Sequence, residues 1–562
     1  MFMSYEEWEP IYDYGHFSYY VNPKRPWLKY YPENIPKSIR FDPIPVHEFI
    51  RLTAEKYPNN VAINDLSRDK KYTYREVFWY ADKIANALID LGVNKDHSVG
   101  VMTKNIPEFI FTIFGITETG ASVSPINPLL RESDVIHIIQ EAGNINTIFV
   151  HKDNYRTIKK VRRSLEIENI ILLESKEPRE DTITFEEFIL HKSTIKPQIE
   201  IDPVNDIAAL LFTGGTTGLP KGVMLTHNNL VHNALSVLNM EKTTFEENRG
   251  IGVSLAILPL CHTFGYEVSI ISMAAATMMI MIDSFDPGLV LKLIEKYRIK
   301  LFTGVPIMFQ MLVNHPDFSE RDLSSLESAT SGSAALAPEI SKKWEKKTGI
   351  KVGQGFGLTE ASPITHMQPN WIPEIKPESI GIPIIDTDAI IVNPDTLEEL
   401  GVNEIGELLI RGPQVMKGYW KRPKATEKII LKDGWLRTGD LARMDENGYF
   451  YIEGRTKDMI KYKGYKVMPK EVEEKLYKHP AVLEVGVIGI PDPYIGETIK
   501  AFIVLKKEYR DGKITERDII KWAKEHLASY KYPRHIEFVN SLPRTAVGKI
   551  FRRKLKDKEK KK

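Results

Sequence analysis

Between Thr213 and His227 the chain reads TGGTTGLPKGVMLTH, which packs four glycines, four threonines and one lysine into fifteen residues. Glycine allows close backbone approach and positive φ, so consecutive N–H groups can form a nest for an anion. Thr213, Thr216 and Thr217 add hydroxyls and Lys221 adds a point charge, which makes phosphate the natural guest. The pattern GxxxxGK[ST] needs glycine before its lysine and a hydroxyl after it. Here Pro220 and Gly222 flank Lys221, so that pattern is not matched. Taken alone, the stretch fits a phosphate cradle and an exposed Gly/Thr loop equally well.

Further along stand other groups that could do chemistry. FGLTE (Phe356 to Glu360) offers an aromatic, a glycine, a hydroxyl and a carboxylate, and WLRTGD (Trp435 to Asp440) sets a carboxylate at a turn. GRTKDMIKYKGYKVMPKEVE (Gly454 to Glu473) is rich in lysine, and PRTAVGKIFRRKL (Pro543 to Leu555) presents Lys549 after a glycine. Each alone also fits a turn, a cap or a solvated charge run.

The elements that must position these groups are α/β. IAALLF (Ile207 to Phe212) predicts a buried strand, and THNNLVHNALSVLNM a helix capped by Thr226, so the opening loop is expected as strand–loop–helix. Strand runs such as HSVGVM, NTIFV, NIILL, KLFTGV and DAIIV alternate with helical runs such as EVFWYADKIANALIDLG and PGLVLKLIEKYR. That alternation predicts parallel-type sheets flanked by helices, with ligands at the strands' carboxyl ends. From about Leu408 short strands with glycine turns predict a small β-subdomain, and beyond Arg455 a compact α+β unit follows. The expected division is a large N-terminal domain, 1–456, and a small mobile C-terminal domain, 457–562. The tail KLKDKEKKK reads as a solvated charged end.

With 562 residues the chain exceeds one core. A hydrophobic share of 42% with 27% charged residues describes a soluble globular protein, and a net charge of +1 gives no footprint for nucleic acid. The single cysteine, Cys261, excludes a disulfide framework, and no Cys/His cluster has zinc spacing. The start MFMSYEEWEP is acidic and aromatic, unlike a signal peptide, and the apolar run from Val268 to Ile282 is too short for a membrane span and reads as core. A cytoplasmic enzyme is expected, with no stable membrane insertion; monomer and homodimer both stay open.

In this order the motifs resemble the adenylate-forming superfamily of acyl-CoA synthetases, luciferases and peptide-synthetase adenylation domains, from about Tyr72 to the C-terminus. The resemblance implies an ATP-phosphate loop of Thr213, Gly214, Gly215, Thr216, Thr217, Gly218 and Lys221, with glycine at 214 where relatives usually carry serine. It implies that Phe356 stacks on adenine above Gly332, Ser333 and Ala334, with Gln354, Gly355 and Thr359 beside the adenylate. Glu360 and Thr216 would hold Mg2+, Asp440 the ribose hydroxyls with Arg455 assisting, and Lys549 the carboxylate and α-phosphate. Such enzymes join a carboxylic acid to ATP as acyl-AMP and then transfer the acyl group to coenzyme A. The resemblance implies a pivot at Lys457, Lys461 acting in the second step, and Lys463 and Gly464 lining the CoA tunnel. His262 and Phe264 match the family's acyl-pocket wall, with Gly332, Ser333 and Gly357. Acetate-activating relatives carry tryptophan at the step of Gly357, so glycine implies an open pocket and a medium- or long-chain fatty acid, unless the backbone needs glycine there. A 4-coumarate-type aryl acid ligase and a luciferase-like relative share these motifs.

Overall fold

The computed structural model describes residues 25–560 except 163, 214–219, 283, 464, 493, 511 and 545–549. They form two compact units, one of residues 25–213, 220–388 and 410–436, the other of residues 389–409 and 437–560.

The first unit is built on an eight-stranded sheet. Its parallel part runs Ile207–Thr213, Ser122–Pro125, Ser98–Met102, Thr147–His151, Asn169–Leu173 and Ile183–Thr184. Ser98–Met102, Ser122–Pro125 and Thr147–His151 are buried at every position, as strands covered on both faces must be. The covering helices start where the sequence caps them: Thr73 and Glu76 close a capping box on Tyr74–Asp90. That helix packs on Pro107–Glu118, with Phe78 stacked on Phe114 at 5.5 Å.

One expectation is corrected here. Lys221–Thr226 is a strand, antiparallel to Ile207–Thr213 with Lys221 opposite Thr213, so a hairpin precedes the helix rather than a plain loop. The cause is alternation: Val223 and Leu225 enter the main core while Met224 packs on a second apolar cluster across the sheet. Thr226 then caps His227–Met240 as its sequence suggested, its hydroxyl accepting from Asn229 N. Gly418–Tyr419 adds the edge beyond this strand.

A three-stranded parallel sheet, Leu301–Gly304, Ser328–Ser331 and Val352–Gln354, brings Gly332, Ser333 and Gly355 to its carboxyl ends. Phe356–Gly357, Ile364–Met367 and Ile382–Pro383 form an antiparallel sheet directly after it. The run Val268–Ile282 is core, divided between the helix Thr263–Ala274 and the strand Met278–Met281. No helix among the described residues is long and apolar enough to cross a membrane.

In the second unit, Leu436–Met444 and Phe450–Arg455 form a hairpin in a four-stranded sheet. A five-stranded sheet follows, centred on the long hairpin Val482–Asp492 and Gly496–Leu505. The charged tail is corrected as well. Arg552–Lys560 is a helix, and Leu555 is buried with Ile488, Phe502, Val504 and Leu542. Its lysines flank a docked apolar residue, and Glu559 reaches Lys500 at 2.8 Å.

On the helix Thr263–Ala274, Glu267 is fully buried and neither carboxylate oxygen has a hydrogen-bond partner among the described residues. Burial pushes this carboxyl well above its ordinary 4.5. Between those values the folded chain holds a proton that the unfolded chain has lost, so stability falls as pH rises, by about 1.4 kcal/mol per unit. Glu267→Gln removes that titration. Its melting temperature should exceed the wild type's by ~2 °C or more at pH 8, with the gain shrinking toward pH 5. A gain equal at both pH values would contradict this.

Candidate functional site

At the hairpin base Lys221 lies opposite Thr213, and its ammonium sits 4.6 Å from the centroid of the Tyr419 ring. The Tyr419 hydroxyl donates to Glu360 Oε1 at 2.7 Å. Met416 N donates to the Glu360 carbonyl at 2.9 Å, so backbone and side chain of Glu360 are both fixed by the segment 416–419. Glu360 sits in the short turn Thr359–Ala361. Thr359 reaches Thr263 hydroxyl to hydroxyl at 3.1 Å, which ties this turn to the helix headed by His262.

His262 caps that helix by accepting from Phe264 N at 3.3 Å. Ahead of it Asn105 braces the segment, donating to the carbonyls of Ala256 and Leu258 at 2.8 Å and accepting from Leu260 N at 3.0 Å. The Phe264 ring lies against Gly332, where a Cβ would come within 2.9 Å of it. Next to Gly332, Ser333 holds left-handed backbone (φ 75°), and its hydroxyl oxygen is buried with no hydrogen-bond partner among the described residues. A buried, unsatisfied hydroxyl at the carboxyl ends of parallel strands suits a polar ligand. Gln354 accepts from Leu336 N at 3.1 Å and donates to the Pro377 carbonyl, and Gly355 N donates to Ser331 O at 3.0 Å. Phe356 meets His366 edge-on at 6.0 Å; burial drives that imidazole down to about 3, so it is a neutral ring.

In the second unit Asp440 lies opposite Arg455 across the hairpin and takes its guanidinium at 2.9 and 3.4 Å. Asp440 is buried, and its N–H donates to the Thr438 hydroxyl oxygen at 3.0 Å. Lys461 and Lys463 bracket Tyr462, with Lys461 N donating to Glu497 at 2.8 Å and Lys463 N to Ile495 O at 3.0 Å. Lys457 follows the hairpin by two residues.

The family profile described as AMP-binding enzyme matches residues 50–420, and the profile AMP-binding enzyme C-terminal domain matches 471–549. The chain belongs to the AMP-binding enzyme family. It is similar to a long-chain-fatty-acid–CoA ligase of Bacillus subtilis (strain 168), 38% identical over 565 residues that cover 95% of this chain and 98% of that one. Among solved structures, ATP-bound MatB from Rhodopseudomonas palustris matches with a TM-score of 0.82 at 27% identity, over 92% of this chain and 99% of that one. The anthranilate CoA ligase AuaEII, in complex with anthranoyl-AMP, matches with a TM-score of 0.81 at 30% identity, over 92% and 97%.

Within this AMP-binding enzyme, the first unit links Thr213, Lys221, His262, Phe264, Gly332, Thr359 and Glu360 through direct contacts or strand pairing, with Ser333, Gln354, Gly355, Phe356 and Gly357 on adjoining strand ends. The second unit joins Asp440 to Arg455. Gly214, Gly215, Thr216, Thr217, Gly218, Gly464 and Lys549 lie outside the described residues. Sequence reasoning missed Tyr419 and Thr263. Both are set in place by contacts distant in the chain; the one available signal was an aromatic in GYW ahead of a basic turn.

Gly357 acquires a physical reason other than pocket space. Opposite Ile364, a Cβ built on it would fall 2.1 Å from the Pro363 carbonyl oxygen. Real Cβ atoms do not approach backbone so closely, so any side chain moves the strand that carries Phe356. Gly357→Ala and Gly357→Trp should both lower the melting temperature and impair every acid alike. A series of kcat/KM values from C2 to C12 checks this, and loss confined to long acids would restore the pocket explanation.

Proposed function

We propose that this family member is an AMP-forming acyl-CoA synthetase acting on a medium- or long-chain fatty acid. The observation that carries the reading is the Lys221–Tyr419–Glu360 array, together with a Ser333 hydroxyl at the strand ends that has no partner among the described residues. The likeness to CoA ligases over nearly the whole chain supports it.

The acid's carboxylate oxygen attacks the α-phosphorus of ATP, the bond to the bridging oxygen breaks, and pyrophosphate leaves with that electron pair. The coenzyme A sulfur then attacks the acyl carbon, AMP leaves, and the thiol proton goes to solvent. Neither step needs an enzyme nucleophile. Cys261 agrees, since desolvation pushes its thiol up to about 12 and keeps it protonated.

In this reading Thr213, the 214–218 segment and Lys221 take the β- and γ-phosphates, while Lys549 bridges the carboxylate and the α-phosphate. A preorganised charge on a developing anion is worth roughly 3 kcal/mol of barrier. Asp440 would accept the ribose hydroxyls, with Arg455 holding its carboxylate in place. Among the described residues no three His, Cys, Asp or Glu side chains cluster as a metal cage. Mg2+ keeps most of its waters and is held by one or two protein oxygens together with phosphate. Glu360, oriented by Tyr419, and Thr216 would hold it, and when bound it would neutralise phosphate charge. Lys457 would be the pivot about which residues 457–562 turn between steps, bringing Lys461, Lys463 and Gly464 to coenzyme A. We place the reaction in the cytoplasm; sedimentation would separate monomer from homodimer.

An aryl-acid CoA ligase is the second reading, favoured by the likeness to the anthranilate ligase. Acid-dependent ATP–pyrophosphate exchange over a panel of fatty and aromatic acids tests both. Each buried methylene is worth ~0.8 kcal/mol, so acids of about six carbons or more should exceed acetate at least 10-fold in kcat/KM. Preference for aromatic acids would move the assignment to the second reading, and exchange with no acid would overturn both. Tyr419→Phe removes the hydroxyl that orients Glu360, so KM for Mg·ATP should rise about 10-fold with little change in melting temperature. An unchanged KM would remove Glu360 from the nucleotide site.

A further inference from the structure

Outside the residues already assigned, the second unit carries a partly buried guanidinium held between two carboxylates. Arg552 Nη2 donates to both oxygens of Glu473, at 2.7 and 2.8 Å, and its Nη1 lies 3.8 Å from Asp458 Oδ2. The Glu473 carboxylate is itself fixed by Val487 N, at 2.7 Å, on the central hairpin. Charge-assisted pairs of this kind hold geometry as well as charge.

What they hold is two segments that the reaction uses. Arg552 stands three residues after Lys549, and Asp458 directly follows Lys457. The described residues flanking 545–549 form a tied base: Arg544 bridges Ile550, Phe551 N donates to Pro543 O at 2.7 Å, and Arg544 reaches Glu484 at 3.0 Å. Ile550 packs on the cluster of Leu542 and Leu555, so the apolar side of the base is seated on the sheet. Arg552 supplies the remaining tie, from that base to the helix Pro469–Leu476 and to the residue after Lys457.

Resting on the reading above, we propose that Arg552 is a positioning residue for acyl-AMP formation, fixing the base of the Lys549 segment relative to the Lys457 pivot through Glu473 and Asp458. Lys549 acts only in the first half-reaction under that reading, so losing the clamp should injure that half alone.

The test separates the halves in the full chain: acid-dependent ATP–pyrophosphate exchange against coenzyme A acylation from synthetic acyl-AMP. Arg552→Ala should lower the exchange kcat up to about 100-fold, the scale of an ångström-level misplacement, and leave acylation within about 3-fold. Arg552→Lys keeps the charge between Glu473 and Asp458 and should recover most of the exchange; a merely structural loss would not discriminate between the halves. If Arg552→Ala does not fold, Asp458→Asn must show the same split in milder form. Equal loss of both halves, or full retention of exchange, overturns the proposal. Lys549→Ala is the control for the reading itself: if it retains exchange, the assignment of Lys549 fails, whatever Arg552 does.

Discussion

An ammonium lying over a phenol ring, with the phenol donating to a carboxylate, is the constraint on which the first unit's site depends. Lys221, Tyr419 and Glu360 belong to distant parts of the chain, yet the contacts at 4.6 and 2.7 Å leave each little freedom. The hairpin Ile207–Thr213 and Lys221–Thr226 presents the lysine, Gly418–Tyr419 pairs onto that hairpin's edge, and Met416 N fixes the Glu360 backbone. A cation and an anion thus share one aromatic intermediary.

Around that array the fold supplies rigidity from different sources. Parallel strand ends set Ser333 and Gly355, a hydroxyl pair ties Thr359 to Thr263, and the backbone of Pro363 leaves room only for hydrogen at Gly357. In the second unit the equivalent role falls to ion pairs within a hairpin and beneath a helix: Asp440 with Arg455, and Arg552 with Glu473. Because these pairs are partly buried and hydrogen-bonded on more than one side, removing one partner costs more than an exposed pair would.

The sequence reveals the sheet strands well, because buried parallel strands are continuous apolar runs: NTIFV and NIILL appear at Thr147–His151 and Asn169–Leu173. It also reveals the Thr226 cap. It misleads at Lys221–Thr226, where a six-residue strand of mixed polarity hides between a glycine loop and a helix, and at the tail, where one apolar residue among lysines is enough to dock a helix. Gly357 shows a deeper limit. Sequence can note an absent side chain, but the carbonyl that forbids one lies in the partner strand. Tyr419 and Arg552 escape for the same reason, since their partners are set by tertiary pairing and no local spacing announces them.

The central claim is that the chain cleaves ATP between its α- and β-phosphates to activate a carboxylic acid. A single-turnover reaction with α-labelled ATP, a C12 acid, coenzyme A and Mg2+, with the nucleotide products separated, tests it most directly. The account predicts labelled AMP, formed only when the acid is present and accompanied by an equal amount of pyrophosphate. Labelled ADP, or AMP released at the same rate without acid, would contradict it.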